Sequence, residues 1–252
     1  MIGRTPMELR RDLGAGARLW SAPGHHAVEP EWWTAFSCAP RVDYNVACCL
    51  SSDNDVLVEH CIQPLLDLEK PGIIMLAGPG LATGQKLADS GWVVVGAVPL
   101  MALDSSDLPA ADGAGVRALT EEDLPEARAL LADTYNMSDE AAAAAVPLAA
   151  VETPDLGVWG LFDDNRMVAS FTAATVDGLV VVWSMVTGRH DQKKGYGRRL
   201  LATALRSRFE AGAEGSLLQS SARAEHLYLG LGYEVVEYWQ LWSRPRWAMG
   251  RA

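Results

Sequence analysis

The chain has 252 residues, room for one large or two modest domains, and its 49% hydrophobic and 21% charged fractions are those of an ordinary globular protein. A net charge of −11 argues against nucleic acid or an anionic membrane surface as the main partner. Arginines near the N-terminus (Arg4, Arg10, Arg11) precede no apolar core or cleavage pattern, and no apolar run nears membrane-spanning length, so a soluble, cytoplasmic protein is expected.

In chain order, residues 7–13 suit a short helix, and Trp32, Trp33 and Phe36 read as an apolar anchor after Pro30. Residues 42–50 read as a strand, and Ser51-Ser52-Asp53-Asn54 caps a helix over 55–68 that Pro71-Gly72 stops. A short buried strand at 73–77, a helix at 81–90 and a strand at 92–103 complete this part. The four cysteines (Cys38, Cys48, Cys49, Cys61) form no C-x-x-C pair and have no histidine at ligand spacing, which predicts reduced, mostly buried thiols and no metal site.

Residues 104–115, rich in Ser, Pro, Gly and acids with no apolar period, predict a boundary between domains at 1–112 and 116–252. Beyond it, Thr120 caps a helix running to Tyr135, and Ser138 caps an alanine-rich helix ended by Pro147. Residues 156–162 and 166–175 flank the turn Asp163-Asp164-Asn165, and Asp177-Gly178 signals a hairpin into a strand at 179–187. A glycine loop, a helix from Gly195 to about Ala211, a strand at 216–219, a helix at 221–229 and a strand at 233–242 follow.

The end of the later unit echoes the earlier one. Glu214-Gly215-Ser216-Leu217-Leu218 matches Pro71-Gly72-Ile73-Ile74-Met75, and Gly232-Tyr233-Glu234-Val235-Val236 matches Gly91-Trp92-Val93-Val94-Val95. The two matches in the same order, with a helix between them, point to a duplicated unit. Where the second copy carries glycines and bases, the first has residues 51–55 with neither, and Leu87 stands where the second has Tyr228. The first copy therefore reads as structural.

Gln192-Lys193-Lys194-Gly195-Tyr196-Gly197-Arg198-Arg199 sits at a strand-to-helix junction. Glycines let backbone approach a phosphate, and a helix start offers free amides and the favourable end of the dipole. Seven basic residues and one acid, Asp191, lie between Arg189 and Arg208, a concentration suited to a small anion on an acidic protein. Together with two opening helices, the antiparallel meander and Ser221-x-x-Ala224-x-x-Leu227-Tyr228 before Gly232-Tyr233, this junction resembles the Gcn5-related N-acetyltransferase (GNAT) family over about residues 116–243.

The resemblance implies a mixed α/β fold with a mainly antiparallel sheet splayed at the cofactor site, preceded by a partial, degenerate copy lacking most of the meander. It implies acetyl-CoA as cofactor, its pyrophosphate on the loop Gln192, Lys193, Lys194, Gly195, Tyr196, Gly197 and Arg198, and its pantetheine along Met185, Val186 and Thr187. An amide near Val186 would stabilise the oxyanion, Ser221 would contact the cofactor, and Tyr228 would protonate the departing thiolate. The family's general base, eleven residues before the glutamine in some relatives, is replaced by Val181. Deprotonation through water and Ser184, or an acceptor that arrives neutral, are the two alternatives. Acceptor specificity is expected from Trp183, Trp239, Trp242, Tyr135 and Asn136, which suggests an apolar or flat small-molecule amine. His190 and Asp191 are expected to face cofactor or solvent and to take no part in acid–base chemistry. The rival readings are aminoacyl transfer from a charged tRNA and a non-catalytic acyl-CoA-binding module; a monomer or homodimer suits any of them.

Overall fold

A computed structural model describes residues 2–110 and 112–248; the first and last residues of the two expected domains, 1 and 249–252, lie outside the described residues. Helix α1 (Pro6–Gly16) starts with a proline and a reciprocal cap between Thr5 and Glu8. Strands β1 (His26–Val28), β2 (Trp32–Phe36) and β3 (Asn45–Cys49) form an antiparallel meander. Helix α2 (Asn54–Val56) continues through a π turn, Leu57–Ile62, into α3 (Gln63–Asp67). Then come β4 (Ile73–Leu76), α4 (Gly84–Asp89) and the long β5 (Val93–Asp104). The expected apolar anchor at 32–36 is in fact a strand, so the first half has a three-stranded meander after all.

The second half holds β6 (Val116–Ala118), α5 (Leu124–Tyr135), α6 (Asp139–Ala145), α7 (Ala149–Glu152), β7 (Leu156–Asp163), β8 (Arg166–Val176) and β9 (Leu179–Thr187). It ends with α8 (Tyr196–Glu210), β10 (Gly215–Gln219), α9 (Glu225–Leu229), β11 (Glu234–Ser243) and α10 (Pro245–Ala248). The mixed, mainly antiparallel sheet expected from the sequence is present as one eleven-stranded sheet, ordered β1-β2-β3-β4-β11-β5-β10-β9-β8-β7-β6. The segment 104–115 therefore does not interrupt the sheet. Instead β5 sits between β10 and β11, and β11 in turn sits beside β4, so each half lends its long strand to the other.

One register detail makes the site. Strand β10 pairs in parallel with β9 only from Gly215↔Leu179 to Leu217↔Val181, whereas β10 stays on β5 as far as Gln219↔Leu100. Beyond Val181 the two strands part, which is the expected splay. The equivalent parallel pair in the first half stays joined along its whole length, from Val46↔Ile73 to Cys49↔Leu76.

Packing explains why β9 can serve both faces. Val180 and Val182 pack with Leu200, Leu201 and Leu205 of α8, while Val181 packs with Leu13 and Ala17 on the α1 side. Val186 would share the Val182 face in a regular strand, yet it lies in the core with Leu131 of α5 and Ala145 of α6. An extra residue in β9 between Trp183 and Val186, with Ser184 at φ 50°, exchanges the faces. Helix α1 approaches β9 so closely that a Cβ on Gly16 would lie 2.7 Å from that of Val181. Gly16→Ala is accordingly expected to cost about 1–3 kcal/mol in urea denaturation. Gly3→Ala, where a Cβ would meet nothing within 4 Å, should leave the midpoint unchanged.

Candidate active site

The junction after β9 is shaped by two left-handed residues, Lys193 (φ 65°) and Gly195 (φ 82°), and no side chain caps the start of α8. Uncapped first-turn amides at a fifteen-residue helix form a ready anion site. Gly197 lies so close to β9 that a Cβ there would come within 3.2 Å of Met185 Cε and Thr187 Oγ1. Asp191 braces the loop from beneath. Its buried carboxylate accepts from Arg166 at 2.8 and 3.1 Å and from Lys194 at 3.0 Å. Arg166 first, then Lys194, hold its pKa down to about 2, so the brace persists above the ordinary carboxylate range and is lost only as pH falls through about 2.

A cleft of about 540 Å³ opens where β9 and β10 part. Met185, Thr187, Gln192, Lys193, Gly195, Tyr196, Gly197, Arg198, Ser221, Tyr135 and Tyr228 all line it, so most of the expected cofactor residues meet here. Arg223, which sequence reasoning missed, also lines it and donates to Gln192 Oε1 at 2.8 Å, linking the two banks of the cleft. The pattern fits coenzyme A: an open strand edge, a glycine cradle that a Cβ would crowd, and Lys193, Arg198 and Arg223 as cations along one channel. Two expected cofactor residues turn their side chains away from the cleft, which leaves their backbone amides as the groups the expectation concerned. Lys194 is engaged by Asp191, and the Val186 side chain is buried in the α5–α6 core.

A second cavity, of about 260 Å³, shares Tyr135, Met185, Ser221, Ala224 and Tyr228 with the first. Tyr228 stands at the junction, and burial pushes its phenol pKa up, so it stays protonated at neutral pH. The Tyr135 hydroxyl donates to the Met185 carbonyl at 2.7 Å. Trp183 and Ser184 line this cavity as expected. The far wall was not expected: Arg41, Asp43 and Tyr44 come from the first half. The Tyr44 hydroxyl lies 3.0 Å from Ser184 Oγ, which donates to the Ala145 carbonyl at 3.3 Å. Ser184 thus pegs the first-half wall and α6 to the bulge, and its proton leads to a carbonyl, a poor exit for a proton relay.

Three expected acceptor residues lie away from this cavity. Trp239 is fully buried in the first-half core, tilted against Trp33, with its indole N–H on Glu237 at 2.7 Å. Trp242 is buried in the same core. Asn136 takes a left-handed conformation as the C-cap of α5 and lines a separate cavity with Pro40 and Val42. Val181, at the family's base position, is fully buried against α1. Among the described residues no cluster of three or more His, Cys, Asp or Glu could hold a metal ion, and no helix is long and apolar enough to cross a membrane.

Residues 120–233 match the model of the acetyltransferase (GNAT) family. No curated protein matches the chain. Among solved structures it is similar to a GCN5-related N-acetyltransferase from Kribbella flavida, at 21% identity and TM-score 0.67, over 95% of this chain and 93% of that one. It is also similar to a putative GNAT-family acetyltransferase from Novosphingobium aromaticivorans, at 20% identity and TM-score 0.58, over 94% and 96% of the two chains. A GCN5-related N-acetyltransferase from Sphaerobacter thermophilus aligns at 14% identity and TM-score 0.60, over 85% and 76%. At these identities the likeness is one of fold, and with the first two it spans both halves.

The brace and the cradle make separate predictions. Asp191→Asn keeps the shape and removes the charge; it should weaken coenzyme A binding several-fold in calorimetry while leaving the circular dichroism unchanged. Gly195→Glu puts a side chain where φ is 82° and an anion where an anion binds, so it should lose measurable binding altogether.

Proposed function

We propose that this chain, which carries an acetyltransferase domain of the GNAT family over residues 120–233, moves an acetyl group from acetyl-CoA to the primary amine of a small molecule by direct attack. The observation that carries this reading is the meeting of two cavities at Tyr228, one basic and glycine-lined, the other aromatic. Acetyl-CoA would supply the activated thioester and a thiolate leaving group. The first-turn amides of α8, with Lys193, Arg198 and Arg223, would hold its phosphates. The open edge of β9 after Val181 would pair with its pantetheine, as an extended segment adds to a sheet edge.

Each remaining residue has a definite task. Tyr135 keeps the Met185 carbonyl hydrogen-bonded, which fixes the bulged end of β9 beside the reacting centre. Tyr228, kept protonated by burial, donates to the leaving sulfur. Its ring packs edge-on against Tyr233 at 5.7 Å, which holds the phenol in place as the helix turns.

We infer that the first half is a duplicated copy that has lost cofactor binding. The support is the mirrored strand order around β5 and β11, together with the closed β3–β4 pair where the second half opens. Tyr228→Phe tests the mechanism directly. It is expected to lower kcat about ten- to hundredfold in a thiol-release assay and to leave coenzyme A affinity unchanged by calorimetry. Equal turnover of variant and parent would remove the tyrosine from the mechanism.

A further inference from the structure

We propose that the acceptor is a flat amine of low basicity, received neutral in an aromatic pocket whose far wall, residues 41–44, comes from the first half of the chain. This deepens the acyl-transfer reading above and rests on it.

Four aromatic side chains, Tyr44, Tyr135, Trp183 and Tyr228, line the 260 Å³ cavity. Trp20, also from the first half, stands edge-on to Tyr44 at 5.5 Å and to Trp183 at 5.8 Å, so that wall is fixed by packing. The Tyr44–Ser184 hydrogen bond ties it to the bulge of β9. A planar ring between rigid aromatic walls gains contact area at little entropic cost, whereas a flexible polycation would have one carboxylate, Asp43, to meet.

The charged and titratable groups lining the pocket are Arg41, Asp43, Tyr44, Tyr135 and Tyr228; those facing it across the cleft are Asp191, Lys193, Arg198, Arg223 and Tyr196, whose hydroxyl donates to Asp163. Asp43 accepts from Arg41 Nε at 3.1 Å, and Asp191 is held by Arg166 and Lys194. Tyr135 donates to a carbonyl, while burial pushes the Tyr44 and Tyr228 phenols up. Each group that lines the acceptor side is thus committed to a partner or stays protonated, and an alkylammonium arriving there would find no ready proton acceptor. A neutral amine needs none. Its nitrogen forms the new C–N bond, the C–S bond breaks, and the one proton the nitrogen sheds equals the one the leaving sulfur requires. Tyr228 passes its proton to sulfur and is restored by that of the amine.

The test is the pH profile of kcat/KM with two acceptors, aniline and 2-phenylethylamine, followed by release of free thiol. With aniline, neutral throughout, the profile is expected to stay flat from about pH 6.5 to about pH 9. With 2-phenylethylamine, whose ammonium titrates near 10 as lysine's does, it should rise about tenfold per pH unit without a plateau. Tyr44→Ala should raise the KM for aniline about tenfold and that for acetyl-CoA less than about twofold, the latter showing that the variant is folded. A plateau for 2-phenylethylamine beginning near neutral pH would reveal a base on the enzyme and overturn the proposal. If that plateau vanished in Asp43→Asn, the base would be Asp43. An unchanged aniline KM in Tyr44→Ala would overturn the assignment of the wall. Failure of the acyl-transfer reading itself shows separately, as no thiol release with either amine, and it takes this inference with it.

Discussion

The pairing of β5 with β11 in the middle of the sheet is what the candidate active site depends on. Because β5 crosses into the second half, the last residues of β10 keep their hydrogen-bonding partner at Met101 and Leu100 after they leave β9. Strand β9 is likewise held on its outer side by β8, through Ser170↔Val186 and Ala169↔Thr187. Each strand can therefore present an inner edge to a ligand without losing its place in the sheet. Unpaired backbone groups in a closed interior would be costly; at the wall of a cleft they become binding groups.

The same exchange of strands explains the division of labour between the halves. The first half lends β5 to support the splay, α1 to cover the underside of β9, and the 41–44 turn to close the aromatic pocket. Its own parallel pair stays zipped and buries Ile74, Leu76, Cys48 and Cys49 completely, which leaves no edge for a ligand. Buried ion pairing locks the arrangement. Arg10 of α1 forks onto Glu237 of β11 at 2.7 and 2.6 Å, and a Cβ on Gly78 would strike that guanidinium. The two halves are thereby interlocked through α1 and β11.

Much of the second half could be read from local pattern. The valine-rich run in 179–187, the glycine spacing from Gly195 to Gly197 and the helix carrying Tyr228 each sit within a few residues of the feature they produce. The first half was harder because its strands are short and irregular: β1 has three residues, and β2 begins with two consecutive tryptophans that disguise its alternation. Tyr44 could not be found, since its bond to Ser184 joins residues 140 positions apart and no motif marks it. Trp239 misled for a different reason. Alternation separates it from Tyr238, half exposed at 53%, but parity alone does not say which face meets the cleft.

On the proposed reading a single cleft, between β9 and β10, takes the donor, and the matching place in the first half is closed. Hydrogen exchange followed by mass spectrometry, with and without acetyl-CoA, tests it most directly. Slowed exchange is expected in residues 185–187 and 193–198, with no change in residues 50–56 and 77–84, the corresponding junctions of the first half. Protection in the first-half junctions, or none in the second-half loop, would contradict it.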